Sequence, residues 1–154
     1  MTGFPEFAMP KVAMLGRCTR VLVPGPITGY QLAAFGIRSE WCLPGLNSVA
    51  LGRVPPPSPQ RKLQVVFVSR LAPHKQLEVV IEALSLLEPK IPLMVIGPGE
   101  AGDISRYTRM AEERQVPITF TEPSDDEKGR VIAESAVLVM ASTFEGLSLP
   151  PLEA

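Results

Sequence analysis

An α/β fold built on a parallel sheet with helices on both faces is what this sequence predicts, and three observations carry that reading. Short apolar runs such as LQVVFVS (63–69), LMVIG (93–97) and VLVM (137–140) lack clean polar alternation, as expected of strands covered on both sides. Segments with helical spacing or composition separate them. The connections are short, so strand and helix alternate in the β-α-β order that builds parallel sheets.

Taken in order, TRVLVP (19–24) and TGYQLAAFGI (28–37) read as a first strand and helix. Residues 44–62 carry Pro55-Pro56-Pro57 and no sustained periodicity, which suits an extended, semi-rigid linker. The chain thus divides into 1–43, the linker, and a sheet domain over 63–154. After the strand at 63–69, QLEVVIEALSLL (76–87) places apolar residues at 77, 80, 81 and 84, a helical stripe. The strand at 93–97 ends in the turn Gly97-Pro98-Gly99. A helix over 104–115 and a short strand at 118–120 follow. Ser124-Asp125-Asp126-Glu127 is a capping-box signature that opens a helix to about Ser135, ahead of the last strand at 137–140. Pro150 and Pro151 suit a helix start, so EGLSLPPLEA reads as a loop carrying Glu145, then a helix with Glu153 in its first turn.

Bulk properties narrow the function. The 154 residues suit one ordinary domain, and 45% apolar with 20% charged residues are globular values. A net charge of −1 lacks the basic excess of a nucleic-acid binder. No stretch approaches the roughly 20 apolar residues of a membrane span, and the N-terminus lacks the pattern of a signal peptide, so a cytoplasmic location is expected. Cys18 and Cys42 are too few for a zinc site and are expected as buried, reduced thiols.

In open parallel sheets ligands gather beyond the carboxyl ends of the strands, here the loops 69–76, 97–103, 121–124 and 141–149. In the first, Arg70 and Lys75 stand at a strand end beside a helix N-terminus, an arrangement suited to a diphosphate. By position alone they equally fit solvated surface charges. Gly97-Pro98-Gly99-Glu100 lacks the Gly-Lys-Ser/Thr ending of a phosphate loop and reads more simply as a turn. His74 is the only histidine, which removes Ser-His-Asp and multi-His metal schemes and leaves a solvent-facing side chain as the simplest reading. Glu145 and Glu153 bracket free amides at a helix start, a place for an anionic, hydroxyl-rich ligand, although the helix dipole alone also favours acids there. A glycosidase pair leaves Arg70 and Lys75 without a role and is set aside.

Four stretches in order resemble glycosyltransferase family 4: VSRLAPHKQLEVVIEAL, LMVIGPG, ITFTEPSDDEKGRVIAESAVLVMAS and FEGLSLPPLEA, the last similar to the family's E-x7-E signature. TRVLVPGPITGYQLAAFGI and CLPGLNSVALGRVPPP are similar to the segment that leads into them, so the likeness spans 17–154. The resemblance implies the Rossmann-like, nucleotide-sugar-binding C-terminal half of a GT-B enzyme, incomplete at its C-terminus. Such enzymes transfer a hexose from a UDP- or GDP-linked donor with retention and without a metal or other cofactor. It implies that Arg70 and Lys75 hold and stabilise the departing diphosphate, that Glu145 faces hydroxyls of the sugar, and that Glu153 accepts from the ribose. Gly146, Leu147, Ser148 and Leu149 would present amides to the phosphates, with Gly97, Gly99, Thr121 and Glu122 on the donor-binding side. The acceptor, a glycan, lipid or small molecule, would sit on an N-terminal domain that this sequence does not carry, and the full enzyme could meet a membrane surface peripherally. The expectation is therefore a fragment inactive by itself; a non-catalytic nucleotide-binding or purely structural module is the alternative. Ser69, Gln76 and Ser148 stand where the family often has Gly, and Glu122 replaces the Gly of its F-x-G loop near the base.

Overall fold

The run LQVVFVS becomes the interior of a four-stranded parallel sheet. In this computed structural model, which describes residues 8–42, 60–145 and 148–153 without the side chains of 8–10, 152 and 153, the chain forms two units, Met1–Gly45 and Leu46–Ala154. The N-terminal unit holds α1 (Ala8–Leu15), β1 (Leu22–Val23), α2 (Pro26–Ala33) and β2 (Glu40–Trp41), with β1 and β2 paired in parallel. Val21, Val23 and Ile37 form its small core with Leu15, Leu32 and Phe35 against them. Neither α1 nor β2 is anticipated by the sequence reading. The helix expected at 28–37 starts instead at Pro26, whose fixed φ and missing N–H suit a first helical position. Cys18 and Cys42 are exposed rather than buried: one follows the turn after α1, the other the two-residue strand β2, and neither place is covered. Most of the 44–62 linker lies outside the described residues.

The C-terminal unit runs β3 (Lys62–Val68), a 3-10 turn (Pro73–Lys75), α3 (Leu77–Ser85), β4 (Leu93–Ile96), α4 (Ala101–Glu113), β5 (Ile118–Thr121), α5 (Asp125–Glu134), β6 (Ser135–Leu138) and α6 (Pro150–Glu153). All pairings are parallel, in the order β5-β4-β3-β6. Alternate side chains of β3 enter two cores. Val65 and Phe67 join Leu77, Val80, Ile81 and Leu84 of α3 and Tyr107 and Ala111 of α4 on one face. Val66 joins Ile96 and Ile132 of α5 on the other, with Val68, Met94 and Leu138 against them. The predicted fold, a parallel sheet with helices on both faces, is therefore observed. The stripe at 77, 80, 81 and 84 is the buried face of α3.

Several boundaries move: α3 ends at Ser85 instead of 87, α4 at Glu113 instead of 115 and β6 at Leu138 instead of 140, and two starts shift. Helix α4 begins at Ala101, three residues before the expected start, which shortens the preceding loop. Strand β6 begins at Ser135, directly after α5, instead of at 137. Its start is pinned by side chains: Ser135 Oγ donates to Val131 O at 2.6 Å and accepts from Gln64 Nε2 at 2.8 Å, while Lys62 pairs with Glu134. Such side-chain ties lie outside any hydrophobic pattern. Among the described residues β6 pairs only with β3, and Val137 stands 50% exposed on that strand. No helix among the described residues is long and apolar enough to cross a membrane.

The order β5-β4-β3-β6 has a consequence for function. From β3 the chain steps to β4 and β5 on one side, then returns across the sheet to place β6 on the other. The reversal lies at β3, and the crevice beyond the carboxyl ends of β3 and β6 is where ligands of open α/β sheets bind.

Candidate functional site

Beyond Val68 the chain stays tied to β4's loop: Ser69 N–H donates to Ile96 O and Leu71 N–H to Pro98 O, both at 2.9 Å. Arg70 lies between these two anchors, exposed, and among the described residues it has no ion-pair partner. Pro73 starts the 3-10 turn, and Gln76 closes it in the left-handed region, φ 53° and ψ 47°. That conformation explains why glycine suits this position, and a residue with a Cβ costs about 1 kcal/mol or more there. The turn leaves Lys75 at the mouth of the crevice rather than out in solvent; its side chain is only 14% exposed.

The loop after β6 comes to meet it. Thr143 donates its backbone N–H at 2.9 Å and its hydroxyl at 3.3 Å to the carbonyl of His74. Two residues on, Glu145 Oε1 accepts from Lys75 Nζ at 2.5 Å, with the carboxylate side chain 27% exposed. Groups 70 residues apart thus form one half-buried, charge-assisted pair. His74, expected to face solvent, is half-buried and contributes its carbonyl to this clasp.

Gly97 supplies the crevice floor. Its φ is +137°, and a Cβ placed there would stand 2.4 Å from Ser69 O. The turn reading of Gly97-Pro98-Gly99 is thus too weak for Gly97, where two backbones meet too closely for any side chain. Gly97 N–H donates to Thr121 O at 3.1 Å, tying the ends of β4 and β5 together.

These segments enclose a cleft of about 570 Å³. Of the residues named from the sequence, Arg70, Lys75, Gly97, Glu122, Glu145, Ser148 and Leu149 line it. Gly99 does not: it packs against the Leu71 side chain. Thr121 is also absent from the lining and takes part through the carbonyl that Gly97 bonds. Gly146 and Leu147 lie outside the described residues, as does the side chain of Glu153, whose backbone closes α6. Sequence reasoning missed Lys128 and Met140, which also line the cleft. Lys128 sits in the first turn of α5, four residues after the Ser124 cap, and its half-buried side chain is held by Asp125 Oδ1 at 3.3 Å. The capping box was the available signal, because it fixes which way that first turn faces.

Burial alone would raise the Glu145 carboxyl and is the largest single influence on it. The Lys75 hydrogen bond, the Ser142 hydroxyl and the charges of Lys75 and His74 together outweigh burial, so the group titrates below its ordinary value. The Ser142 hydroxyl acts by proximity, since it makes no well-aligned hydrogen bond among the described residues. A carboxyl whose folded pKa is depressed stabilises the fold above its unfolded pKa, and that contribution is lost as pH falls through the folded value. The stability gap between the parent and Glu145→Gln should therefore be full at neutral pH and close below the ordinary carboxylate range. Urea melts over a pH series check this; a gap that widens in acid contradicts it. The exposed carboxylates that are also lowered, Glu40, Glu127 and Glu134, are common to both proteins and cancel.

Residues 52–154 match the family model of glycosyl transferases group 1. No curated protein matches the chain. Among solved structures, Anabaena HepE in complex with UDP and glucose is similar at TM-score 0.81 and 16% identity, over 97% of this chain and 46% of that one. A variant of S. aureus TarM in complex with Fondaparinux, alpha-GlcNAc-glycerol and UDP gives TM-score 0.77 and 14% identity, over 98% of this chain and 31% of that one. The catalytic domain of the Helicobacter pylori cholesterol-alpha-glucosyltransferase gives 0.53 and 23%, over 60% and 58%. At these identities the likeness is one of fold, and the chain spans less than half the length of the first two.

Proposed function

Because the chain belongs to the glycosyl transferases of group 1, we propose that its cleft binds the donor of a sugar transfer, a nucleoside diphosphate sugar. The observation that carries this is the convergence of Arg70, Lys75 and Glu145 on one cleft at the point where the sheet order reverses. Arg70 offers a forked guanidinium and Lys75 a compact ammonium to the diphosphate. The structures of HepE and TarM were determined with UDP, which favours a nucleotide ligand for the shared fold.

In this reading the transfer retains the anomeric configuration and uses no metal, and the two cations take up the charge that develops as the sugar–phosphate bond breaks. Lys75 starts on Glu145. When the diphosphate arrives, the ammonium shifts toward it, and the released carboxylate is free to accept from hydroxyls of the hexose. Glu153 accepts from the ribose. The acceptor, a glycan, lipid or small molecule, is bound by parts beyond this cleft, so the chain needs such parts for transfer. The donor is drawn from the cytoplasm, and contact with a membrane surface would be peripheral.

Calorimetric titration of the chain with UDP and GDP tests the donor site. At least one should bind and be displaced by inorganic pyrophosphate, and Arg70→Ala and Lys75→Ala should each weaken binding about tenfold or more, as loss of a charge-assisted contact implies. Binding that neither substitution affects would place the nucleotide elsewhere and sink the proposal.

A further inference from the structure

The cleft reaches well past the diphosphate cations. Loops leave β3, β4 and β5 side by side, and adjacent strands lie about 4.8 Å apart, so the end of β5 is roughly 10 Å along the sheet edge from Arg70. That distance separates the diphosphate of a nucleotide from the far edge of its base. At the β5 end the cleft is lined by Glu122, Pro123 and Lys128.

Both charged groups are held by rigid chain. Glu122 follows β5, whose last residue is bonded through its carbonyl to Gly97, and it precedes a proline, which biases it to extended backbone. Beyond Pro123 the capping box locks the start of α5: Ser124 N–H donates to Glu127 Oε2 at 3.0 Å, and Glu127 N–H to Ser124 Oγ at 3.4 Å. Lys128 belongs to the turn so fixed, its ammonium paired at 3.3 Å with the exposed Asp125, from which a base carbonyl would draw it. Glu122 is exposed and has no ion-pair partner among the described residues, so its acceptor oxygens are available to a ligand.

An ionised carboxylate only accepts and an ammonium only donates. A carboxylate that turns both oxygens to a base is filled only by two adjacent N–H donors, and the ammonium beside it by a carbonyl oxygen. Guanine has that edge: N1–H and N2–H side by side, with O6 next to them. Uracil offers one N–H flanked by two carbonyl oxygens, which a carboxylate repels. Adenine gives the carboxylate one N6–H and sets the N1 lone pair against its second oxygen. We infer that this cleft selects a guanine nucleotide, with Glu122 accepting from N1–H and N2–H and Lys128 donating to O6. The inference rests on the donor-site reading above and adds the base.

The test titrates GDP, UDP and ADP into the chain and into its Glu122→Gln and Lys75→Ala variants, with circular dichroism to confirm that each is folded. GDP should bind about ten- to a hundredfold more tightly than UDP, the discrimination expected of one bidentate contact to a base edge. Glu122→Gln replaces one acceptor oxygen with a donor and should bring the GDP/UDP ratio close to one. Lys75→Ala should weaken both nucleotides alike and leave the ratio in place. If UDP binds as tightly as GDP, or Glu122→Gln leaves the ratio unchanged, while Lys75→Ala still weakens binding, the base assignment is wrong and the donor site stands. If no nucleoside diphosphate binds, the donor site itself fails and takes the base assignment with it.

Discussion

Lys75→Ala should slow sugar transfer about a hundredfold, roughly 3 kcal/mol of activation free energy, in a form of the protein that carries out the reaction. The ammonium lies at the carboxyl edge of β3, held at 2.5 Å from Glu145 in a half-buried pair. Once donor binding has drawn the ammonium from Glu145 to the diphosphate, it is in place before charge builds on the leaving group, so its removal is felt most in the transition state. Turnover should therefore fall further than donor affinity. On the proposed contact of Glu153 with the ribose, which would be the same in the ground and transition states, Glu153→Gln should behave differently: the donor KM rises and kcat barely changes. Removing Lys75 also strands the Glu145 carboxylate. Glu145→Gln, alone and combined with Lys75→Ala, separates the two effects: Lys75→Ala should slow transfer in the Glu145→Gln background as well, where no carboxylate is stranded. Full turnover in Lys75→Ala with only weaker donor binding would reduce Lys75 to a positioning charge.

Gly97→Ala should cost about 3 kcal/mol of folding stability or more, an effect confined to cores and strained backbone. At φ +137° an L side chain is strained wherever it points. Here it would also stand 2.4 Å from Ser69 O and 2.7 Å from Ser69 C, backbone atoms tied to β4 by the Ser69–Ile96 bond. Relief requires prising apart the ends of β3 and β4, which also carry Arg70 and the cleft floor. Denaturant unfolding reads the loss. Gly99→Ala is the milder comparison, because its new Cβ meets the Leu71 side chain rather than backbone atoms, and no left-handed φ adds strain. Gly102→Ala is the control: it lies in the first turn of α4 with nothing within 4 Å. A Gly97→Ala protein as stable as Gly102→Ala would show that the approach of the two loops is not rigid.

Much of this molecule is written locally. The apolar stripe of α3, the Ser124–Glu127 box and the apolar runs of β3 and β4 depend on residues within one or two turns of each other, and those elements appear where their patterns lie, whereas β6 lies two residues before its run. Their alternation with short connections also determines a parallel sheet, because a chain that crosses over by a helix can pair only that way. The residue types of the site were legible too: Arg70, Lys75 and Glu145 are named from loops at strand ends. What the sequence left open is which of these groups touch. Only the order β5-β4-β3-β6 sets the loop after β6 against the turn before α3, so that Lys75 meets Glu145 across 70 residues of chain. Only the approach of Ser69 to Gly97 shows why a side chain is excluded there, and only the direction of α5's first turn carries Lys128 into the cleft. Period, caps and turns are settled by near neighbours in the chain; contacts between loops are settled by packing two cores onto one sheet, which no local pattern encodes.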